Sequence, residues 1–228
     1  MCGRFTRMYT WQELVELYHL TMGAPSNLQP RYNICPTDAV DVVIFGDGVR
    51  SLVPMRWGLI PTWWKKPIKD MRLATFNARA ETIGEKPMFR DSFRRRRCLM
   101  PVSGYYEWVT TPTGKQPYYF TRQDGQVITV AAIQDGWVDP ATRQAVRSCA
   151  MVITEPNKLS AEVHDRMPVI LEATDFEQWE RGDVKDATAL MKPANDDVLQ
   201  KWPVSKRVNS SRADDNDATL IDKIELGK

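Results

Sequence analysis

Short apolar runs bounded by turn residues recur along the chain, a pattern typical of β-strands. The clearest case is a pair of runs, residues 39–45 and 51–57, whose connection Gly46-Asp47-Gly48 predicts a β-hairpin. Later runs are separated by Pro-Thr-Gly and Asp-Gly turns. They cover residues 98–102, 105–109, 118–121, 127–133 and 146–153. A mostly antiparallel sheet is therefore predicted.

Helical patterns are fewer. Thr10 has the features of an N-cap, and the amphipathic repeat that follows it continues to Leu20 before Gly23 and Pro25. Two later helices are predicted at residues 174–181, with Thr174 as cap, and at residues 195–201. Together the patterns indicate an α+β fold, a mostly antiparallel sheet or distorted β-barrel with peripheral helices.

The length of the chain predicts one domain. Its 228 residues, 43% of them hydrophobic, are enough for one sizeable core. We expect the domain to span residues 1–228, with a core at 2–205 and a polar C-terminal tail at 206–228. Residues 210–217 have the composition of a mobile segment.

Charge and cysteine content narrow the possible functions. The formal net charge is only +2, so nucleic acid would have to be bound by local clusters of Lys and Arg. Four scattered cysteines and two histidines give no zinc-ligand spacing, and we expect neither a metal nor a cofactor. The sequence shows no secretory signal and no apolar run long enough for a membrane span. These features indicate a reducing, cytoplasmic setting.

Cys2 is the first candidate for chemistry. Removal of Met1 would leave it with a free α-amine, and amine and thiol together form a 1,2-aminothiol. Reference pKa values of about 7.7–8.0 for the amine and about 8.5 for the thiol make both partly nucleophilic at neutral pH. Such a pair captures an aldehyde first as an imine and then as a thiazolidine. Taken alone, these residues are better explained by an incidental cysteine.

Two loops combine aromatic, amide and basic side chains. Trp63 and Trp64 precede two lysines, an arrangement that suits either a base-stacking surface beside phosphate-binding charges or partial burial in the core. Asn77 and Arg79 are two residues apart, so in an extended segment both point from one face. The amide could orient a thiol or an aldehyde oxygen, and the guanidinium could hold a phosphate.

Three further features concern charge. The run of four arginines at residues 94–97 is best interpreted as a solvated helix end. Glu107 is predicted to point inward with Tyr105, where a carboxylate needs a partner or a raised pKa, and both conditions suit proton transfer. His164 lies in a charged loop and suits acid–base catalysis near neutral pH, although a structural hydrogen-bonding role is the alternative.

Several of these motifs occur in an order that resembles the SRAP (SOS response-associated peptidase) family. The resemblance covers Cys2 to about Pro203. The matching segments are residues 1–5, 31–36, 57–61 with Trp63 and Trp64, 77–82, 104–108 and 163–168.

The resemblance implies a bacterial, cytoplasmic protein that senses abasic sites in single-stranded DNA, or at junctions with duplex, during the SOS response to DNA damage. It would act as a monomer at damage sites on the nucleoid. Its N-terminal cysteine would form a reversible thiazolidine crosslink that protects the lesion. The implied catalytic residues are Cys2, Asn77, Glu107 and His164.

The same resemblance implies the DNA contacts. Arg4 and Arg79 would hold flanking phosphates, Trp63 and Trp64 would stack on or separate bases, and Pro36 would shape the floor of the pocket.

One position departs from the family pattern. At Cys35 a small apolar residue such as alanine is expected, and we interpret the cysteine as a small buried thiol.

Two other functions use the same features. A cysteine peptidase, including one limited to removing its own first residue, could use Cys2, Glu107 and His164, but a general protease would need a peptide cleft and an oxyanion hole. A non-covalent binder of modified bases would leave the aminothiol without a purpose.

Overall fold

The computed structural model of the protein describes residues 2–22 and 27–226. Gly23 and Pro25, where the first helix was predicted to end, lie outside the described residues. Within these two ranges, no helix is long and apolar enough to cross a membrane.

The described chain is predominantly β-structure. Its strands are β1 Phe5–Arg7, β2 Leu20–Met22, β3 Arg31–Ile34, β4 Ala39–Gly46, β5 Val49–Trp57, β6 Asn77–Arg79, β7 Arg97–Val102, β8 Gly104–Thr111, β9 Gly114–Arg122, β10 Ile128–Val138, β11 Ala145–Thr154, β12 Met167–Pro168, β13 Ile170–Leu171 and β14 Leu199–Pro203. Its α-helices are α1 Trp11–Tyr18, α2 Arg90–Arg95, α3 Lys158–Ala161, α4 Phe176–Arg181 and α5 Val184–Leu190.

The larger sheet closes on itself. Strands β11, β10, β7, β4 and β5 follow one another through antiparallel pairs, and β5 then pairs in parallel with β11. Short strands extend this ring, among them β6, which pairs in parallel with β11. The predicted α+β fold with a distorted barrel is therefore confirmed.

The smaller sheet has the order β14-β9-β8-β1-β3, and every pair in it is antiparallel. It places β1, the strand that follows Cys2, between β8 and β3. The N-terminal residues are therefore held within a sheet, beside the strand that carries Glu107.

Alternation along the barrel strands separates two cores. Met100, Val130 and Met151 point to an inner cluster that also contains Cys2. Their neighbours Leu99, Ala131, Ala150 and Val152 belong to an outer cluster covered by α1, α2, α4 and α5. Successive side chains of a strand point to opposite faces, so burial of both sets is expected where a sheet is covered on both faces.

The helix predictions need four corrections. Helix α1 begins at its Thr10 cap as expected but ends at Tyr18, because His19 adopts a left-handed conformation (φ 51°) and the chain continues as β2. Helix α4 begins at Phe176 after a 3₁₀ turn, so Thr174 does not cap it. Residues 195–201, predicted as a helix, instead form a turn and the first part of β14 on the edge of the smaller sheet, and the helices α3 and α5 were missed.

The polar C-terminal segment packs on the domain. Val208 and Leu220 are buried with Tyr106 and Tyr119 on the outer face of the smaller sheet. Within residues 210–217, predicted to be mobile, the Asp215 carbonyl accepts a hydrogen bond from the Tyr32 amide at 2.7 Å. The segment is therefore fixed by contacts that its polar composition does not reveal.

Replacing Asp215 with alanine should destabilise the fold. The Asp215 carboxylate accepts a hydrogen bond from the Asn33 amide at 2.9 Å and forms an ion pair with Arg31. Loss of such a partly buried, charge-assisted acceptor costs about 1–3 kcal/mol, so thermal unfolding should shift down by at least ~2 °C. The exposed Asp214→Ala is the matched control. Equal unfolding temperatures for both variants would contradict this role for the segment.

Candidate functional site

Cys2 lies at the bottom of the candidate site. Its side chain is 1% exposed, and its carbonyl accepts a hydrogen bond from Asn77 Nδ2 at 2.9 Å. Burial raises the pKa of the Cys2 thiol well above its usual value, and the nearby Glu107 carboxylate raises it further. The thiol is thus protonated at neutral pH, more so than the reference value suggested. It needs a proton acceptor before it can act as a nucleophile.

Glu107 lies close enough to the Cys2 thiol to serve as such an acceptor. Strand β8 directs Tyr105 and Glu107 to the same inner side, and only 2% of Glu107 is exposed. Burial raises the pKa of its carboxyl group, while the nearby His164 partly opposes the shift. A carboxylate with a raised pKa beside a thiol is suited to taking up and returning a proton.

His164 faces Glu107 from a neighbouring loop. Its Nε2 lies 3.9 Å from the nearer Glu107 carboxylate oxygen, and its backbone amide donates to the Ser160 carbonyl in α3. The Arg166 amide donates to Nδ1 at 3.1 Å, which in the neutral ring places the proton on Nε2. An Asp165 carboxylate oxygen also lies 2.9 Å from Nδ1. The ring can therefore exchange a proton on the side of Glu107.

Asn77 is the first residue of β6, and its partner Met151 in β11 fixes its place. Its amide nitrogen is used by the Cys2 carbonyl, whereas its Oδ1 atom is buried without a hydrogen-bond partner among the described residues. Arg79 lies two residues further along the strand and is exposed. This oxygen is therefore able to accept a hydrogen bond from a further donor.

Glu107 and His164 border an open cavity of about 690 Å³, whereas Cys2, Asn77 and Arg79 are not among its lining residues. Arg4, Pro36, Glu107 and His164 are among its lining residues. The cavity has six further lining residues that the sequence did not identify as candidates, because nothing in their local pattern indicates that they meet. These residues are Gly3, Phe76, Trp108, Thr110, Lys115 and Asn209.

Trp63 and Trp64 are not part of this cavity. Trp63 is 45% exposed and borders a separate cavity of about 390 Å³ that also includes Lys65 and Arg95. Trp64 is half-buried, and its carbonyl accepts a hydrogen bond from Trp137 at 2.7 Å. The two rings pack edge to face at 6.2 Å, so only Trp63 offers a substantial free surface.

The arginine run is partly structural. Arg97 donates to the Phe93 carbonyl at 2.8 Å, and Arg96 pairs with the buried Asp135 at 3.1 Å. Arg94 and Arg95 remain exposed at the end of α2. The interpretation as a solvated helix end therefore holds for only two of the four residues.

Cys35 is half-buried rather than fully buried, and its thiol contacts the Asn33 carbonyl at 3.3 Å. It also lies close enough to Arg4 for the guanidinium to oppose the rise that burial causes in its pKa. The four cysteines are free thiols, and no cluster of three or more metal-binding side chains occurs among the described residues.

The fold and the site define a class of protein in which a buried cysteine thiol near the start of the chain lies beside a carboxylate, and that carboxylate faces an imidazole at an open cavity. The family model described as "SOS response associated peptidase (SRAP)" matches residues 1–211. The chain therefore belongs to the SRAP family.

Several relatives from bacteria and vertebrates carry the name "abasic site processing protein". YoqW of Bacillus subtilis is 31% identical over 97% of this chain and 99% of its own length. YedK of Escherichia coli is 30% identical over 92% of this chain and 95% of its own. HMCES of Xenopus tropicalis is 32% identical over 83% of this chain and 65% of its own.

Solved structures show the same fold. A crystal structure of a protein from Bacteroides thetaiotaomicron has a TM-score of 0.88 and 24% identity, and the match covers 98% of this chain and all of the other. A phage-related protein from Bordetella bronchiseptica has a TM-score of 0.72 and 25% identity over 94% of this chain and all of its own.

Proposed function

We propose that this protein processes abasic sites in single-stranded DNA by forming a covalent thiazolidine crosslink through Cys2, after removal of Met1. The observation that carries the proposal is the placement of the Cys2 thiol beside Glu107, which faces His164 at an open cavity. The names of the SRAP relatives supply the substrate class.

The chemistry needs no cofactor. The Cys2 amine adds to the C1′ aldehyde of the ring-opened deoxyribose, and loss of water gives an imine. The thiol sulfur then adds to the imine carbon, the thiol proton passes to Glu107, and the ring nitrogen takes up a proton. One water leaves overall, and reversal consumes one water. Glu107 supports this transfer because its carboxyl pKa is raised by burial toward the working pH.

His164 would act on the sugar. An abasic site is mostly a closed hemiacetal, so the aldehyde must first be released by moving a proton from the C1′ hydroxyl to the ring oxygen. The imidazole lines the cavity and is 23% exposed, which leaves it accessible to a bound sugar. Asn77 would accept a hydrogen bond from a sugar hydroxyl through its unpaired Oδ1.

DNA contacts would extend from the cavity. Arg4 lines it and would hold a phosphate, Pro36 would form part of its wall, and the exposed Arg79 would bind a second phosphate beyond Asn77. Trp63 would stack on a base at the separate cavity beside Lys65, with Trp64 supporting its ring.

The direct test mixes the protein with a single-stranded oligonucleotide containing one abasic site and separates the products on a denaturing gel. A band that survives denaturation, absent with undamaged oligonucleotide and weaker with fully duplex DNA, is expected. Intact-mass analysis should show that the protein in this band lacks Met1. Failure of fully processed protein to form the band would refute the proposal.

His164→Gln should slow crosslinking by about 10²–10⁴-fold, the usual contribution of a general acid–base group. Because a catalyst accelerates both directions, reversal should slow by a similar factor. The control substrate is an oligonucleotide carrying an aldehyde that cannot cyclise, which needs no ring opening. Rates measured on gels should be close to those of the unaltered protein with this substrate. An equal loss on both substrates would argue against the ring-opening role.

A further inference from the structure

Asn209 joins three residues of the cavity wall through three different groups. Its carbonyl accepts a hydrogen bond from Arg4 Nη2 at 3.1 Å. Its side-chain oxygen accepts one from Trp108 Nε1 at 2.7 Å, and its side-chain nitrogen donates to the Lys115 carbonyl at 3.0 Å. All four residues line the same cavity. The C-terminal segment thus connects β8, β9 and the residues before β1 at the edge of the site.

Asn209 thus bonds the Arg4 guanidinium through its carbonyl but only the backbone of Lys115, and neither cation has a carboxylate partner within 4 Å among the described residues. Arg4 donates to the carbonyls of Asn209 and Ser210, and its guanidinium lies 5.6 Å from the centre of the Trp108 ring. These contacts fix the position of the guanidinium group without neutralising its charge, and the group has further N–H donors for a ligand. Lys115 is exposed at the cavity.

Two other arginines that contact the C-terminal segment differ from Arg4 because they are paired with carboxylates. Arg31 pairs with Asp38 at 2.9 Å and also with Asp215, and Arg207 pairs with Asp217 at 2.6 Å. Arg4 and Lys115 differ from these ion-paired arginines, and two cations without a carboxylate partner on one part of the cavity wall favour binding of an anion there.

We propose that Arg4 and Lys115 form a phosphate subsite of the cavity and that Asn209 is the residue that positions it. The ligand is a phosphodiester of the bound strand, adjacent to the nucleotide that reaches Cys2. This inference rests on the proposed function for the identity of the ligand, and it adds Lys115 as a binding residue and Asn209 as a positioning residue.

The test uses equilibrium binding of an undamaged single-stranded oligonucleotide to the full-length protein, measured by fluorescence anisotropy at several salt concentrations. Each phosphate contact on single-stranded DNA contributes about 0.7 to the slope of log K against log salt. Lys115→Gln should weaken binding about fivefold and reduce the magnitude of the slope by about 0.7. A slope equal to that of the unaltered protein would overturn the role of Lys115.

Lys206→Gln is the matched control. Lys206 contacts the Thr113 carbonyl at 3.3 Å and lies on the C-terminal segment, outside the cavity. The variant removes the same charge from the same side of the protein, so its salt slope and affinity should be unchanged. If the two lysine variants change the slope equally, the effect is one of general charge and the subsite is refuted.

Asn209→Asp tests the positioning role. The variant keeps an acceptor for Trp108 and the backbone carbonyl for Arg4, but it replaces the amide donor to the Lys115 carbonyl with a carboxylate and adds a negative charge to the cavity wall. The slope should fall by between about 0.7 and 1.4. If Asn209→Asp left the slope unchanged, Asn209 would have only a structural role.

The binding assay also separates this proposal from the proposed function. It uses no abasic site and needs no covalent step, so it can succeed or fail whether or not the protein forms a crosslink. Normal crosslinking with unchanged salt slopes would refute the subsite alone. Changed slopes without crosslinking would refute only the reaction at Cys2.

Discussion

Replacing Cys2 with serine should abolish the denaturation-resistant adduct, with a loss of ~10³-fold or more. Serine keeps the α-amine and nearly the same volume, so the imine can still form in the buried site. Its hydroxyl is a poor nucleophile and does not close a stable ring on the imine. The prediction is therefore a change of product: no resistant band without reductant, and a band again when cyanoborohydride reduces the imine.

Cys35→Ser provides the matched control. Cys35 is half-buried near Arg4 and is the other thiol with access to the region of the cavity. Because it has no free amine next to it, its loss should leave the adduct yield unchanged. A resistant adduct that persists in Cys2→Ser and disappears in Cys35→Ser would show that Cys35 is the reacting thiol and would contradict the proposed function.

Glu107→Gln should reduce the rate of adduct formation by about 10²–10⁴-fold, because glutamine cannot accept the thiol proton. In the unaltered protein the rate should fall as pH decreases through the pKa of Glu107, and burial places this pKa above the usual carboxyl value of about 4.3. This acid limb should be missing in the variant. Single-turnover rates across pH 4 to 8 give the measurement, and an unchanged acid limb in Glu107→Gln would assign it to another group.

The same substitution should increase stability. A carboxyl group whose pKa is raised in the folded state favours folding most below its unfolded pKa, and this contribution is lost as pH rises through the folded value. At neutral pH the buried carboxylate therefore costs stability that glutamine does not. Glu107→Gln should melt above the unaltered protein at pH 7, by ~2–4 °C for each kcal/mol of relieved desolvation, and the difference should shrink toward pH 4. A lower melting temperature at pH 7 would contradict this electrostatic cost.

The sequence predicted the β-structure well because strand signals here are local. The hairpin of β4 and β5 and the strands β7 to β11 each combine an apolar run with turn residues at its ends. Strand β14 shows where this reasoning fails. Residues 199–203 carry no strong strand pattern, and their conformation is set by pairing with β9, some 80 positions earlier in the chain.

The features of the site also divide into those that the local sequence predicts and those that depend on distant contacts. Glu107 could be placed inward from the alternation along one strand, and His164 could be selected from its charged loop. The contribution of Asn209 could not be predicted, because its three contacts are with residues that are about 94 to 205 positions away. The shift in the Cys2 pKa also requires the packed core, since burial is its main cause.

The most direct test of the central claim is mass spectrometry of the N-terminal tryptic peptide, residues 2–4, from the crosslinked and nuclease-digested protein. The account predicts that this peptide carries the sugar fragment with the loss of one water, and that its sulfur resists iodoacetamide because both the amine and the thiol are in the ring. A sugar fragment on a lysine, or on residues 2–4 with the thiol still open to alkylation, would contradict it.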